Sequence, residues 1–196
     1  MKNKTMYAVL GVLSLMGPMS GYDIKKFCDK SISYFWNENF GHLYPVLSRL
    51  EAGGLIKRQE EAEDSRKKSY KITQEGVEEL KNWLTLPVEY QPERSELLLK
   101  LSFGTRMELE DTLSMLEAAR QRNALKHEQL SRIHAYYLDN EDAKSKPQYP
   151  YWLVTLKYGI SSLEASLKWF KETMEFLRDY AQNNSCNDRK GEVKGS

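Results

Sequence analysis

The stretch Asn39-Phe40-Gly41-His42-Leu43-Tyr44-Pro45-Val46-Leu47-Ser48-Arg49-Leu50-Glu51-Ala52-Gly53-Gly54-Leu55-Ile56 decides the fold. Leu43, Leu47 and Leu50 recur at intervals of four and three, so they share one side of a helix, and Val46 widens the stripe. Pro45 has no N–H and belongs in a first helical turn, which sets the helix start near Gly41 or His42. Gly53-Gly54 ends the helix, because glycine reaches the left-handed C-cap conformation at little cost. Leu55-Ile56 then reads as the start of a strand.

The face opposite the leucines carries Tyr44, Pro45, Ser48 and Arg49. Hydrogen-bonding groups, a ring and a cation on one helix face suit entry into a DNA major groove, where they meet base edges and phosphates. An ordinary surface helix with a leucine core face has the same pattern, so the flanks must discriminate. Downstream come Lys57-Arg58, an acidic run from Glu60 to Asp64, Arg66-Lys67-Lys68, and Tyr70-Lys71-Ile72. That reads as strand, charged hairpin tip, strand. Three helices followed by a two-stranded wing make a winged helix-turn-helix.

The run L-Y-P-x-L-x-x-L-E-x-x-G-L-I, here Leu43 to Ile56, and the later Tyr70-Lys71-Ile72-Thr73-x-x-Gly76 resemble the PadR family of bacterial transcriptional regulators. The helical second half, opening with Leu97-Leu98-Leu99-Lys100-Leu101, is similar to the longer PadR-type tail, also seen in virulence-gene activators. The resemblance implies a homodimer on double-stranded DNA. Family members mostly repress, and some respond to phenolic acids or drugs. It carries over neither the sign of regulation nor an effector, residue by residue.

The chain has 196 residues and a net charge of +1, so it is no bulk polyelectrolyte binder. Residues 1–86 hold 13 Lys+Arg against 11 Asp+Glu, a net of +2, so any DNA site must arise from local clustering. Cys28 and Cys186 lie far apart without a C-x-x-C, which argues against a disulfide framework or a structural zinc and fits a reducing cytoplasm. No cofactor motif is present. The apolar run Met6 to Met16, after Lys2 and Lys4, looks like a short signal peptide. A first helix with Met6, Leu10 and Leu13 on one face, flanked by Val9, is the preferred reading, because a winged-helix core needs it. No stretch reaches the length of a membrane span.

Gly17-Pro18 breaks the first helix, and Ser20-x-x-Asp23 can cap a second reciprocally, to about Ser31. Cys28 reads as a buried small hydrophobe. Tyr34-Phe35-Trp36 are core, a wall of an effector pocket, or both. Thr73 is a good N-cap for a helix from Gln74 to about Leu84. Two prolines in 87–94 mark a linker between a winged-helix domain at 1–86 and a helical dimerisation and effector domain at 95–182. Within the latter, a short all-round apolar helix from Ser95 to Phe103 should be buried, and Thr105-x-x-Glu108 should form a capping box for a long helix to about Leu138. Arg120, Asn123 and His127 interrupt the long helix's apolar stripe. The last helix, from near Tyr151, carries a coiled-coil-like a/d seam: Leu153, Leu156, Ile160, Leu163, Leu167, Phe170, Met174 and Leu177. Its partner is the long helix of the same chain, a second chain, or both, and three helices in ~90 residues would leave apolar surface exposed, so these residues are assigned to dimerisation. Residues 183–196 are polar and read as a disordered tail.

The expected fold is mainly α with a small two-stranded β wing: an N-terminal winged helix-turn-helix plus a C-terminal three-helix dimerisation domain. Helix geometry and the resemblance together nominate Tyr44, Ser48 and Arg49, with His42 at the helix start and Arg66, Lys67 and Lys68 at the wing, as DNA contacts. Trp36, Tyr151, Trp152 and Trp169 are the candidates for a small aromatic effector. An enzyme is disfavoured, because His42, His127 and His134 sit in no H-E-x-x-H and no G-x-S-x-G appears. A helical protein-interaction adaptor using the heptad face is the alternative; it leaves the wing and its basic tip unexplained.

Overall fold

In a computed structural model of the chain, residues 4–31, 36, 43–60, 68–90 and 94–191 are described. They fall into two compact units, residues 1–91 and 92–196.

The first unit is built around α1 (Thr5–Met16). Tyr7, Val9, Leu10, Val12 and Leu13 are all buried, while Met6 is only partly so. The one-faced pattern expected from Met6, Leu10 and Leu13 is therefore too narrow. Helix α1 touches α2 (Gly21–Ser31), α3 (Leu43–Ala52), α4 (Gln74–Leu84) and β3 (Lys68–Ile72), so most of its circumference is core. The apolar run from Met6 to Met16 lies in the central helix of the unit. Tyr7 stacks on Trp83 with ring centroids 4.4 Å apart and donates from its hydroxyl to Glu79 Oε1 at 2.8 Å, tying α1 to α4.

Ser20 caps α2: its Oγ accepts from Asp23 N at 3.1 Å and donates to Asp23 Oδ2 at 2.7 Å. The Asp23 carboxylate thus closes the box on the serine hydroxyl. The wing hairpin pairs β2 (Ile56–Glu60) with β3, in register from Ile56↔Ile72 to Glu60↔Lys68. A third strand, β1 (Met19–Ser20), joins the other edge of β3, giving a three-stranded antiparallel sheet in the order β1-β3-β2. Two residues are too short to show a period-two pattern, so this strand is invisible in the sequence.

Helix α3 buries Leu43, Val46, Leu47 and Leu50, each worth about 1.5–3 kcal/mol on burial. It ends in a Schellman motif. Gly54 N donates to Glu51 O at 3.0 Å, Leu55 N donates to Leu50 O at 2.9 Å, and Gly54 sits at φ +70°, where a side chain would be strained. Thr73 then fastens three elements. Its Oγ1 accepts from Gly76 N at 3.1 Å as the N-cap of α4 and donates to Gly54 O at 2.7 Å, while its N–H donates to Leu55 O at 3.1 Å.

The second unit contains α5 (Glu96–Ser102), a 3-10 turn (Gly104–Arg106), α6 (Leu109–Asp139), the one-turn α7 (Glu141–Lys144) and α8 (Tyr149–Gly191). Three sequence expectations change here. Helix α5 is not buried within the chain: Leu97 and Leu101 pack on the core, but Leu98 and Leu99 are exposed. One small helix against one helical pair has contact on one side only. The Thr105–Glu108 capping box does not form. The 3-10 turn and the extended Met107 (φ −118°, ψ 150°) separate Thr105 from the helix, and Glu108 is itself the N-cap, without a side-chain hydrogen bond. Helix α8 continues to Gly191, into the stretch from Asn183 whose composition reads as a disordered tail.

The α8 seam packs inside the chain. Phe170 and Met174, 2% and 7% exposed, join Leu116 and Ala119 of α6 in one core, with Leu113 and Leu177 beside them. Midway, the interface is polar. Asn123 Nδ2 donates to Ser166 Oγ at 2.8 Å, and His127 Nε2 lies 3.4 Å from Glu164 Oε1. Arg120 grips Glu117 on the same helix through two 2.7 Å hydrogen bonds, and with Gln121 holds its carboxyl down to about 2.

A Cβ at Gly76 would lie 2.1 Å from Leu55 O and 2.9 Å from Ile72 Cγ1. Backbone must move to admit it, so Gly76→Ala should cost about 2–3 kcal/mol in urea unfolding. A loss under ~0.5 kcal/mol would show that the α4–wing junction is not tight. Cys28 is fully buried, and burial, with a lesser push from Asp29, raises its thiol to about 11. An unfolded thiol ionises at about 8.5. The folded pKa is the higher one, so this contribution to stability is complete below about pH 8.5 and is lost as pH rises towards 11. Iodoacetamide at pH 8 should leave Cys28 unmodified until urea unfolds the chain, as read by peptide mass spectrometry.

Candidate nucleic-acid interface

The outer face of α3 follows from its inner one. With four apolar residues turned inward, Tyr44, Pro45, Ser48 and Arg49 are all exposed, Tyr44 by 60%. Arg49 Nε makes a long 3.4 Å hydrogen bond to Pro45 O, which lays its side chain back along the helix.

This face forms one wall of a concave surface enclosing about 720 Å³. The start of α2 supplies Ser20, Gly21, Tyr22 and Asp23, α3 supplies Tyr44 and Ser48, and the wing supplies Arg58, Lys68 and Tyr70. Arg58 is held by two neighbours: its Nη2 lies 3.1 Å from Glu51 Oε2, and its Cζ sits 5.8 Å from the Tyr70 ring centroid. An exposed pair of this kind is weak, so the guanidinium can be shared with an incoming anion at small cost. On the other face of the wing, Lys57 and Lys71 stand directly opposite one another and both are exposed. Like charges paired across strands destabilise a sheet, and a bound polyanion would relieve that repulsion.

Tyr44, Ser48 and Lys68 therefore meet around one concavity, and Arg49 lies on the same outer face of α3. His42, Arg66 and Lys67 lie outside the described residues. Arg58 and Tyr22 line the concavity without having been nominated from the sequence, while Lys57 and Lys71 stay on the opposite face of the wing. Arg58 was nonetheless readable: it shares the strand face of buried Ile56, one pleat further out, which aims it at α3.

Each effector candidate has its own surroundings within its unit. Trp36 packs on the core of the first unit, its Nε1 buried without a hydrogen-bond partner among the described residues. Trp152 is half-buried against Tyr137 at 5.5 Å, and Tyr151 is exposed. Trp169, which meets Phe170 at 5.1 Å, lies 17 residues further along α8 than Trp152, about 25 Å at the helical rise.

Helix α8 has a second apolar face. Tyr151, Val154, Tyr158, Ala165, Trp169, Phe176 and Tyr180 are all exposed. At about 100° per residue they fall within an arc of about 80°, centred about 160° from the middle of the α6-facing seam. The seam residues assigned to dimerisation are thus turned towards α6, and the aromatic stripe opposite them is uncovered in the single chain. Among the described residues, no helix is long and apolar enough to cross a membrane.

Comparison with known proteins fits both units. The transcriptional regulator PadR-like family matches residues 9–82, and the virulence activator alpha C-terminal family matches residues 93–178. The chain carries a PadR-like transcriptional-regulator domain followed by a domain of the virulence activator C-terminal type. The negative transcriptional regulator PadR of Bacillus subtilis is 26% identical over 159 residues, 77% of this chain and 85% of that protein. The crystal structure of a PadR-like regulator from Bacillus cereus shares 27% identity with a TM-score of 0.74, over 89% of this chain and 98% of that one. The virulence activator AphA of Vibrio cholerae gives 26% identity and a TM-score of 0.72 over the same shares, 89% and 98%. Bacillus subtilis PadR has been solved with operator DNA, at TM-score 0.76 and 23% identity over 89% of this chain and 99% of that one. It has also been solved with p-coumaric acid, at TM-score 0.72 and 22% identity over 90% and 99%. These two likenesses speak for the fold. The chain thus has a winged-helix unit and a helical unit, and its first domain is of a type found in transcriptional regulators.

Proposed function

We propose that this PadR-like chain is a cytoplasmic repressor that binds two-fold symmetric operators as a homodimer and is released by a small aromatic acid. One observation carries the DNA reading: Tyr44 and Ser48 of α3 share a concave face with Arg58 and Lys68 of the wing. A helix presenting polar groups beside a basic hairpin suits a groove of duplex DNA with its flanking phosphates. In this reading Tyr44, Ser48 and Arg49 meet base edges, with His42 at the helix start. Arg58, Arg66, Lys67 and Lys68 meet phosphate. The Bacillus subtilis protein solved on operator DNA is a negative regulator, which supports repression.

The aromatic stripe on the outer face of α8 is the surface offered to a second copy. A long, straight row of exposed aromatic side chains is self-complementary about a two-fold axis, the commonest symmetry of homo-oligomers. A dimer spaces two reading heads by about one DNA turn. An effector that shifts the helical interface shifts that spacing, and a coupling of about 1–3 kcal/mol suffices for a switch. The p-coumaric acid complex of Bacillus subtilis PadR supports a phenolic acid as the first ligand to try, with Trp36, Tyr151, Trp152 and Trp169 as candidate contacts. The same stripe would serve a protein-interaction adaptor, the reading favoured if no DNA is bound.

Fluorescence anisotropy against genomic fragments selected by the protein should show tight, sequence-preferring binding that falls with salt. Replacing Arg66, Lys67 and Lys68 by alanine should weaken binding across all sequences and reduce the log–log salt slope by about 1 for each phosphate no longer neutralised. An unchanged slope removes the wing from the interface. Phe176→Glu, at a residue 64% exposed in the single chain, should leave helix content intact and weaken self-association at least about tenfold in sedimentation velocity, because it buries a charge at a two-fold interface. A variant that remains as dimeric as the wild type moves the dimer contact off this stripe.

A further inference from the structure

We propose that Gly21 is a positioning residue for DNA recognition, acting through the ring of Tyr44. The inference rests on the reading of α3 as the DNA-reading helix. Gly21 is the first residue of α2, is buried, and lies outside the positive-φ region occupied by Gly17 and Gly54. Its backbone therefore has no need of a glycine, and alanine would be the better helix former. What the position requires is space. A Cβ there would lie 3.0 Å from Tyr44 Cε1, 3.6 Å from Tyr44 Cζ and 3.2 Å from Leu47 Cδ1.

Those contacts have unequal freedom to yield. Leu47 is fully buried in the core of the first unit, so its side chain cannot retreat without opening a void. Tyr44 is mostly exposed, so its ring is the part that swings. Gly21 thus provides a flat backbone floor on which the Tyr44 ring rests at the edge of the concavity that also holds Ser48, Arg58 and Lys68. An exposed tyrosine on a helix has several rotamers open to it. A ring resting on a neighbouring helix has fewer, and less order must be gained when DNA arrives. The start of α2, itself locked by the Ser20–Asp23 box, is in this way part of the reading head without touching a base.

The test is a double-mutant cycle on the full chain with a tyrosine-ring ¹³C label. Tyr44→Phe identifies the Tyr44 resonance. Gly21→Ala should move that resonance and weaken binding to the selected DNA about five- to tenfold, with the salt slope unchanged because the same phosphates are still neutralised. In a Tyr44→Ala background the same substitution should cost less than about twofold, since the group it acts through is gone. An unmoved Tyr44 resonance overturns the proposal. So does a full penalty that persists without the Tyr44 ring, because Gly21 would then act through the fold at large. If the wild-type protein selects no DNA, the repressor reading fails by itself, and the Tyr44 resonance alone still decides whether Gly21 places the ring.

Discussion

The first unit depends on one hydroxyl and the carbonyls beneath it. Thr73 caps α4, ties its side chain to the carbonyl of Gly54 and its backbone to that of Leu55. These are the two residues at which the chain leaves α3 and enters β2. The exit of α3, the base of the wing and the entry to α4 thus share a single node, and Gly76 lets α4 close against it. Polar groups at such a junction would be costly if left unpaired, so the hydrogen bonds specify the geometry as well as stabilise it. The angle between α3 and the wing, and with it the shape of the concave face, follows from this node. It also explains why a threonine three residues before a glycine belongs in the same signature as the helix: the two segments complete one another's capping.

Most of the elements that build this node were legible because each rests on a local rule. Leucine spacing, Pro45 in the first turn and Gly54 past the end define α3, and Thr73 announces α4. The features that escaped are those created by neighbours. Strand β1 exists only because Met19 and Ser20 meet the edge of β3. Helix α1 is buried on several sides because four other elements surround it, which no single-face pattern expresses. Arg58 sat in plain view beside Lys57, but its role depends on Glu51 and Tyr70, one across a helix end and one across a strand. The Thr105–Glu108 pattern failed for the complementary reason: the motif was present, but the preceding 3-10 turn had already set the chain direction.

The charge distribution carries the same lesson at larger scale. A net of +1 over 196 residues gives no bulk attraction to a polyanion, so affinity must come from position. Lys57 and Lys71 across one face of the wing, and Arg58 and Lys68 on the other, concentrate cations on a hairpin only five residues long per strand. Among the described residues that line the concavity, the one carboxylate, Asp23, is accounted for by its structural work. It closes the cap of α2 at the positive end of that helix's dipole, which favours it there whatever lies in the groove.

Helix α8 raises a different constraint. Its apolar seam demands a partner, and α6 of the same chain is one. An a/d seam made only of apolar side chains tolerates a shift by a heptad, and buried polar pairs are what usually prevent it. Asn123 with Ser166, near the middle of the α6–α8 interface, meets that need, and the close approach of Gly159 to Leu130 marks a second fixed point further along. Once register is fixed, so is the direction of the opposite face. The stripe from Tyr151 to Tyr180 then faces away from α6 as a consequence of the seam, because both faces are rigidly attached to one helix. A rotation of α8 by one residue step would turn the stripe by about 100°, so whatever binds along it is sensitive to packing on the hidden side. The polar middle of the interface, a flaw if only the apolar pattern is considered, is the feature that makes the outer face a defined surface.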